Sequence, residues 1–378
     1  MQSKLKILLY SYLFYPSVGG IESESRSLAE GLIKQGHECK VVTESQAAEP
    51  DNFECSIHRN PDRKTQKELV KWADIIVYNG VGLGLQPWPV IYRKPFVWIH
   101  QGYQISCIDG LGWVEGEAAP MKPWPSIAYH YKKYGFARAF KGAIVVFTKL
   151  FFAKNFVTRN VACTDWVLNR MPELYKKQRI YSPYPIEKFE KPSAEIEIKY
   201  DFVFVGRLVS EKGVFTLVNA FAKLVRTFNA DLNLLVIGDG NWRGKIEDLI
   251  AANGLQNNIT MAGRKTGQEL TDLIHACKIA VVPSEWEEPM GGVALELMSA
   301  GRNIIVSRNT GMAECVGKGG LTFMNGDADA LAEAMRTLWS DEELQKHQKQ
   351  EAKKQLENFR LDIRVEEHVK LFEELLSQ

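Results

Sequence analysis

A short apolar run, a glycine loop and an amphipathic helix open the chain, and the same order begins again near residue 200. "KILLYSY" (Lys6–Tyr12) is too short for a core helix and is followed by the loop "FYPSVGG". It reads as a strand buried on both faces. "IESESRSLAEGLIKQG" then sets Leu28, Leu32 and Ile33 on one side at helical spacing. Glu22 and Glu24 suit the positive first turn of that helix, and Gly36 suits its C-terminal cap. "ECKVVTE" completes a βαβ unit, and "ADIIVYN" and "PFVWIH" extend the same sheet.

The restart follows a charged, turn-rich stretch, "PIEKFEKPSAEIEIK". From there "YDFVFVGRL", "LNLLVIGDG", "NNITMAGR", "KIAVVPS", "NIIVS" and "GLTFM" read as strands with helices between most of them, and 327–378 reads as mostly helical. The expected fold is α/β, with two Rossmann-like β/α/β domains facing across a cleft. The first spans 1–185, a linker runs over 186–199 and the second spans 200–359, with a C-terminal helix at about 360–378 packing back on the first. A chain of 378 residues suits two domains.

Composition removes several classes. A net charge of +1 gives the whole molecule no bias toward nucleic acid. The cysteines (Cys39, Cys55, Cys107, Cys163, Cys277 and Cys315) are scattered, with no CxxC and no Cys/His cluster, so buried free thiols in a reducing cytosol are expected and a metal site is not. The N-terminus lacks a small-residue cleavage site, and no apolar run reaches the length of a membrane span.

Ligands of open parallel sheets bind at the carboxyl ends of strands, which directs attention to six loops. "VGRLVSEKG" puts Arg207 and Lys212 between Gly206 and Gly213, where two cations beside backbone N–H groups suit a diphosphate. Solvated surface charges are the plain alternative. "EEPMGGVALELMSAG" sets Glu288 in a loop and Glu296 inside the helix that starts near Gly291, whose N-terminus favours an anion. Otherwise the first acid offsets the helix dipole and the second meets solvent or a salt bridge. Gly19 and Gly20 form either a loop open to a ligand or a tight turn. His100 ends an apolar strand, as a proton-moving group or as a satisfied core histidine. "GDGNWRG" imitates a dinucleotide fingerprint but lacks the acidic residue on the next strand, and Asp327 and Asp329 read as helix-capping acids.

Taken in order, "FYPSVGGIE", "LAEGLIKQGHECKVVT", "FVGRLVSEKG", "LLVIGDG", "ITMAGR" and "VVPSEWEEPMGGVALELMSAG" resemble the group 1 retaining glycosyltransferases of GT-B architecture over nearly the whole chain. Glu288-x7-Glu296 is the most specific piece. The resemblance implies a sugar donor that is a nucleoside diphosphate, UDP- or GDP-linked, with no other cofactor and no metal. It implies that Arg207 and Lys212 bind the diphosphate, Glu296 the ribose and Glu288 a hydroxyl of the donor sugar. By the same likeness Met290, Gly291 and Gly292 line the sugar and phosphate, Gly206, Gly263 and Arg264 complete the donor side, and His100 faces the reacting sugar. Gly19 and Gly20 would close over the diphosphate or acceptor. Two departures stand out: "EPMGG" has Met290 where the family often has an aromatic, and "YSPYPIEKF" replaces a common Asn-Gly turn.

A last segment bears on the acceptor, for which a glycan or a lipid-linked sugar is expected. Between Glu117 and Asp165 there is no acidic residue, while basic residues from Lys122 to Arg159 alternate with aromatics. Basic and aromatic side chains together suit an anionic membrane surface at the cytoplasmic face; alternatively the aromatics are core beneath a solvated basic face. A glycoside phosphorylase or hydrolase and a non-catalytic nucleotide-sugar binder are the competing functions.

Overall fold

The computed structural model describes residues 4–16, 19–46, 53–174, 176–228 and 231–378, so Ser17 and Val18 of the first glycine loop lie outside the described residues. In chain order the first elements are β1 (Lys6–Ser11), α1 (Gly20–Lys34), β2 (Glu38–Thr43), β3 (Ser56–Arg59), α2 (Arg63–Trp72), β4 (Ile75–Asn79), α3 (Trp88–Ile91) and β5 (Phe96–His100). Then come β6 (Trp113–Val114), β7 (Glu117–Ala118), α4 (Pro123–Tyr134), α5 (Phe136–Asn155), β8 (Arg159–Ala162), α6 (Asp165–Arg170) and β9 (Lys177–Arg179). A second run comprises β10 (Tyr200–Val205), α7 (Val214–Phe228), β11 (Leu234–Ile237), α8 (Arg243–Ala252), β12 (Ile259–Gly263), α9 (Gly267–His275) and β13 (Cys277–Val282). It ends with α10 (Gly292–Ser299), β14 (Asn303–Ser307), α11 (Gly311–Val316), β15 (Leu321–Phe323), α12 (Ala328–Ser340), α13 (Glu342–Glu357) and α14 (Leu361–Leu376).

These elements fold as two compact units. One comprises Met1–Val114, Ala119–Pro185 and Phe359–Gln378, the other Glu115–Ala118 and Ile186–Asn358. The first holds a parallel sheet in the order β3-β2-β1-β4-β5-β8-β9. Ile7, Leu8 and Leu9 are all buried because helices cover both faces, which is why β1 is uninterruptedly apolar. Its core joins Leu9, Leu28, Leu32 and Val77 to Val365, Val369 and Phe372 of α14. Gly31 permits the close crossing of α1 and α14, since a Cβ there would lie 2.4 Å from a methyl of Val365.

The second unit holds a parallel sheet in the order β12-β11-β10-β13-β14-β15. Alternation along β10 serves two cores: Phe202 and Phe204 enter one with α7 and α12, Val203 the other with α9 and α10. Burying each such side chain contributes about 2 kcal/mol. In both sheets the strand order reverses once, between β1 and β4 and between β10 and β13. Each reversal opens a crevice at the strand carboxyl ends.

Beyond the short β6–β7 pair, three strands of the seven-stranded sheet, β3, β8 and β9, have no counterpart in the sequence reading; "SIHR", "RNVA" and "KQR" are short and polar, and β3 and β9 are edge strands. The basic and aromatic segment forms α4 and α5. Its aromatics are not core: Trp124, Tyr131, Phe136, Phe140, Phe151 and Phe156 are exposed.

Candidate active site

The crevice of the second unit is built from the loops that follow β10 and β13, the two strands on either side of its reversal. After β10 the chain turns through Gly206 and Arg207, and Leu208 anchors it by donating to the Asp239 carbonyl at 2.9 Å. A single 3-10 turn, Ser210–Lys212, leads to Gly213 in the left-handed region at φ +66°. After β13 the chain runs through Ser284 to Gly291, the N-cap of α10, which no side chain caps.

Hydrogen bonds tie the two loops together. The Glu285 amide donates to the Glu211 carbonyl at 3.0 Å, and Thr216 Oγ1 donates to Glu285 Oε1 at 2.5 Å. Lys212 Nζ reaches Glu288 Oε1 at 2.8 Å, and Ser284 Oγ donates to Glu288 Oε2 at 2.6 Å. The Glu288 carbonyl accepts from the Gly311 amide at 2.7 Å. Backbone and both carboxylate oxygens of Glu288 are thus fixed, and Lys212 is aimed by it. The pair's side chains are only 15% and 11% exposed, so their charges are little screened.

The remaining predicted residues of this unit are distributed around that pair. Arg207 projects outward, 70% exposed at its side chain, with Glu211 Oε1 3.3 Å away. Glu296 is buried within α10, and Met290 is buried beside it. Gly291 is required by packing, because a Cβ would lie 2.3 Å from Met312 Cγ. Gly263 and exposed Arg264 end β12, two strands away from β10. The glycines of "GDG" also have a packing cause: a Cβ on Gly238 would fall 1.8 Å from the Gly206 carbonyl oxygen, and one on Gly240 2.3 Å from that of Leu208. They let the two loops approach, which accounts for them without a dinucleotide.

In the first unit His100 is the last residue of β5 and is fully buried, stacked on Trp98 at 4.8 Å. Asn160 Nδ2 donates to the Ala153 carbonyl, so its Oδ1 faces the imidazole and His100 Nε2 must donate to it at 2.9 Å. Nδ1 is then the unprotonated nitrogen, an acceptor. Burial lowers the His100 pKa to about 4, so the ring is neutral at physiological pH. Gly19 is the N-cap of α1 and Gly20 its first residue.

The family described as "Glycosyl transferases group 1" matches residues 185–355. An uncharacterized glycosyltransferase of Methanocaldococcus jannaschii is 27% identical over 98% of this chain and 99% of its own. Residues 185–355, which hold the β10 and β13 loops, match the group 1 glycosyltransferases. The chain's fold is shared with the sucrose-phosphate synthase of Thermosynechococcus elongatus, at a TM-score of 0.73 and 20% identity over 99% of this chain and 100% of that one. The Anabaena protein HepE, solved with UDP and glucose, superposes with a TM-score of 0.73 and 16% identity over 98% of this chain and 99% of that one. The architecture is GT-B.

One group of this protein escaped the sequence. Glu24 does not offset the first turn of α1: it is buried beside Ser182 and Gln101, and its Oε2 has no hydrogen-bond partner among the described residues. Gln101 Nε2 donates to Ser182 Oγ at 2.7 Å and to Asn79 Oδ1 at 2.8 Å, and Asn79 Nδ2 donates to Ser25 Oγ at 2.8 Å. Ser11 and Asn79 are register partners at the β1–β4 reversal, so this polar network lies at the carboxyl ends of the strands. The available signal was a polar residue closing an apolar strand, as Asn79 closes "IIVYN".

Burial pushes the Glu24 carboxyl up to about 8. An unfolded carboxyl titrates near 4.3, so the stability tied to this group is intact below that value and is lost as pH rises through the folded one. The loss runs at about 1.4 kcal/mol per pH unit. Glu24→Gln should therefore raise Tm over wild type by a margin that widens from pH 5 to about 8 and then levels. Parallel melting curves for the two proteins across that range would contradict a buried neutral carboxyl.

Proposed function

We propose that this protein transfers a sugar from a nucleoside-diphosphate donor to a hydroxyl of a glycan or lipid-linked acceptor, with retention at the anomeric carbon and without a metal. The observation that carries the reading is the linked pair of loops at the β10–β13 reversal, with Lys212 and Glu288 fixed against each other at 2.8 Å beside the uncapped start of α10. Departure of a nucleoside diphosphate places growing negative charge on phosphate oxygens. Lys212, Arg207 and the N-terminus of α10 are groups that stabilise such charge. In this reading Glu288 accepts from a hydroxyl of the donor sugar, Glu296 binds the ribose, and the backbone of Met290, Gly291 and Gly292 follows the sugar and phosphate. Gly206 lets the diphosphate approach, and Gly263 and Arg264 border the base. HepE's UDP and glucose suggest a UDP-sugar as the first donor to try.

The first unit takes the acceptor. His100 offers Nδ1 to a sugar hydroxyl, Gly19 and Gly20 close over the diphosphate or acceptor, and the acceptor's proton leaves with the departing phosphate on the same face. The enzyme works at an anionic membrane surface reached through 122–159, where lipid-linked acceptors reside.

The test has two stages. Thermal shift against UDP- and GDP-sugars identifies the donor, since a ligand held only by the folded state raises Tm. Turnover with that donor is then followed by NMR in chelator-treated enzyme. An α-linked donor giving an α-linked product at an undiminished rate is expected. An inverted product, or activity that returns only with added Mg²⁺, would overturn the corresponding part.

A further inference from the structure

α5 is built inside out. Its buried side consists of Ala139, Val146 and Ala153, seven residues apart, together with Gly142, where a Cβ would lie 2.6 Å from Ile108 Cγ2. Its large apolar residues fall elsewhere: Phe136, Phe140, Ile144, Phe147 and Phe151 recur at helical spacing along one other stripe. Phe136 is 69% exposed, and Phe140, Ile144 and Phe151 each exceed half. A helix seated on a water-soluble core shows the reverse, large residues inward and polar ones outward. Trp124 of α4, 72% exposed, packs on Phe147 with ring centroids 5.1 Å apart and widens the stripe into a surface. A shallow apolar depression, open to solvent, runs along it, lined by Phe140, Ala143, Ile144, Phe147, Thr148 and Phe151.

Charge selects the occupant. Lys132, Arg138, Lys141 and Lys154 are exposed beside this surface, and no acidic residue occurs from 118 to 164. A second copy of the chain would bring the same basic margins together, which is unfavourable. Among the described residues no helix is long and apolar enough to cross a membrane, and α5 itself carries Arg138, Lys141, Lys149 and Lys154. A helix of this kind lies in the interface with its apolar stripe among acyl chains and its cations at the headgroups.

We propose that α4 and α5 seat in the surface of an anionic bilayer, with Trp124, Phe136, Phe140, Ile144 and Phe151 below the headgroups. This deepens the membrane-borne reading of the acceptor and rests on it only for its purpose. The test reads binding without sugar transfer, so its failure leaves the transfer chemistry standing. The whole protein is floated with phosphatidylcholine vesicles, with and without phosphatidylglycerol, at low and high salt. Binding to the anionic vesicles at low salt is expected, weakened by salt and by removal of phosphatidylglycerol.

Phe140→Ser with Phe151→Ser should reduce partitioning by about a hundredfold, at roughly tenfold or more per aromatic withdrawn from lipid. Lys132→Gln with Lys141→Gln should reduce it about thirtyfold on anionic vesicles and little on neutral ones. Every substituted side chain is exposed, so Tm is expected to be unchanged, and Tm is the check on folding. Absence of wild-type binding to anionic vesicles overturns the proposal, as does wild-type binding by a folded double-Phe variant. A dimer in light scattering that the Phe substitutions dissociate, without vesicle binding, assigns the surface to self-association instead.

Discussion

Lys212→Ala is expected to lower kcat by roughly 10²–10³-fold, the usual effect of removing one group that stabilises transition-state charge. Because the lysine acts on charge that develops as the donor bond breaks, kcat and kcat/KM should fall together. The same substitution also has a structural cost. Glu288, 11% exposed, would keep Ser284 as a donor but lose its cation. Stranding a mostly buried carboxylate should cost on the order of 2–3 kcal/mol. The two effects are separable: Lys212→Ala combined with Glu288→Gln should recover most of the lost Tm and none of the lost rate. If purified Lys212→Ala turns over at the wild-type rate, the diphosphate assignment is wrong; if the double variant recovers activity, the lysine acts only by holding Glu288.

Gly213→Ala should be nearly as damaging, though it removes no functional group. The new Cβ would lie 1.9 Å from the Pro283 carbonyl oxygen, a backbone atom that no rotamer change can move. The residue also sits at φ +66°, where a Cβ costs roughly 1–2 kcal/mol. Overpacking adds about 1–3 kcal/mol. The relief available is separation of the two loops, which draws Lys212 away from Glu288. A Tm lower by about 10 °C and a rate reduced at least tenfold are expected. Gly244→Ala is the internal comparison: it lies in α8 with nothing within 4 Å of its Cβ, so the helix should gain up to ~1 kcal/mol. Equal behaviour of the two variants in melting and turnover would show that the loop junction carries no constraint.

Much of this protein was legible before its coordinates. Buried parallel strands are continuous apolar runs, so β1, β4, β5, β10 and β13 announce themselves, and the strand ends then direct attention to Lys212 and Glu288. Their mutual contact was not legible, because 76 positions separate them and only the β10–β13 adjacency brings the loops together. Glu24 was misread for a related reason. An acid near a helix start ordinarily offsets the dipole, and only Ser182 and Gln101, supplied from elsewhere in the unit, make this one a buried partner. For α5 the composition pointed two ways, to core or to membrane. Helical arithmetic finds both the small-residue stripe and the large one but does not say which faces inward; Gly142 against Ile108 decides it.

The last helix belongs to the first unit. α14 supplies Val365, Val369 and Phe372 to the core that contains Leu28 and Leu32 of α1. Nearly the whole second unit, Ile186–Asn358, is encoded between them. During synthesis the second unit therefore leaves the ribosome with its own sheet complete, whereas α1 emerges more than three hundred residues ahead of the helix that covers it. The half of the molecule made first is the half finished last. Until then the part of α1 around Gly31 that α14 covers is exposed to chaperones and to neighbouring nascent chains.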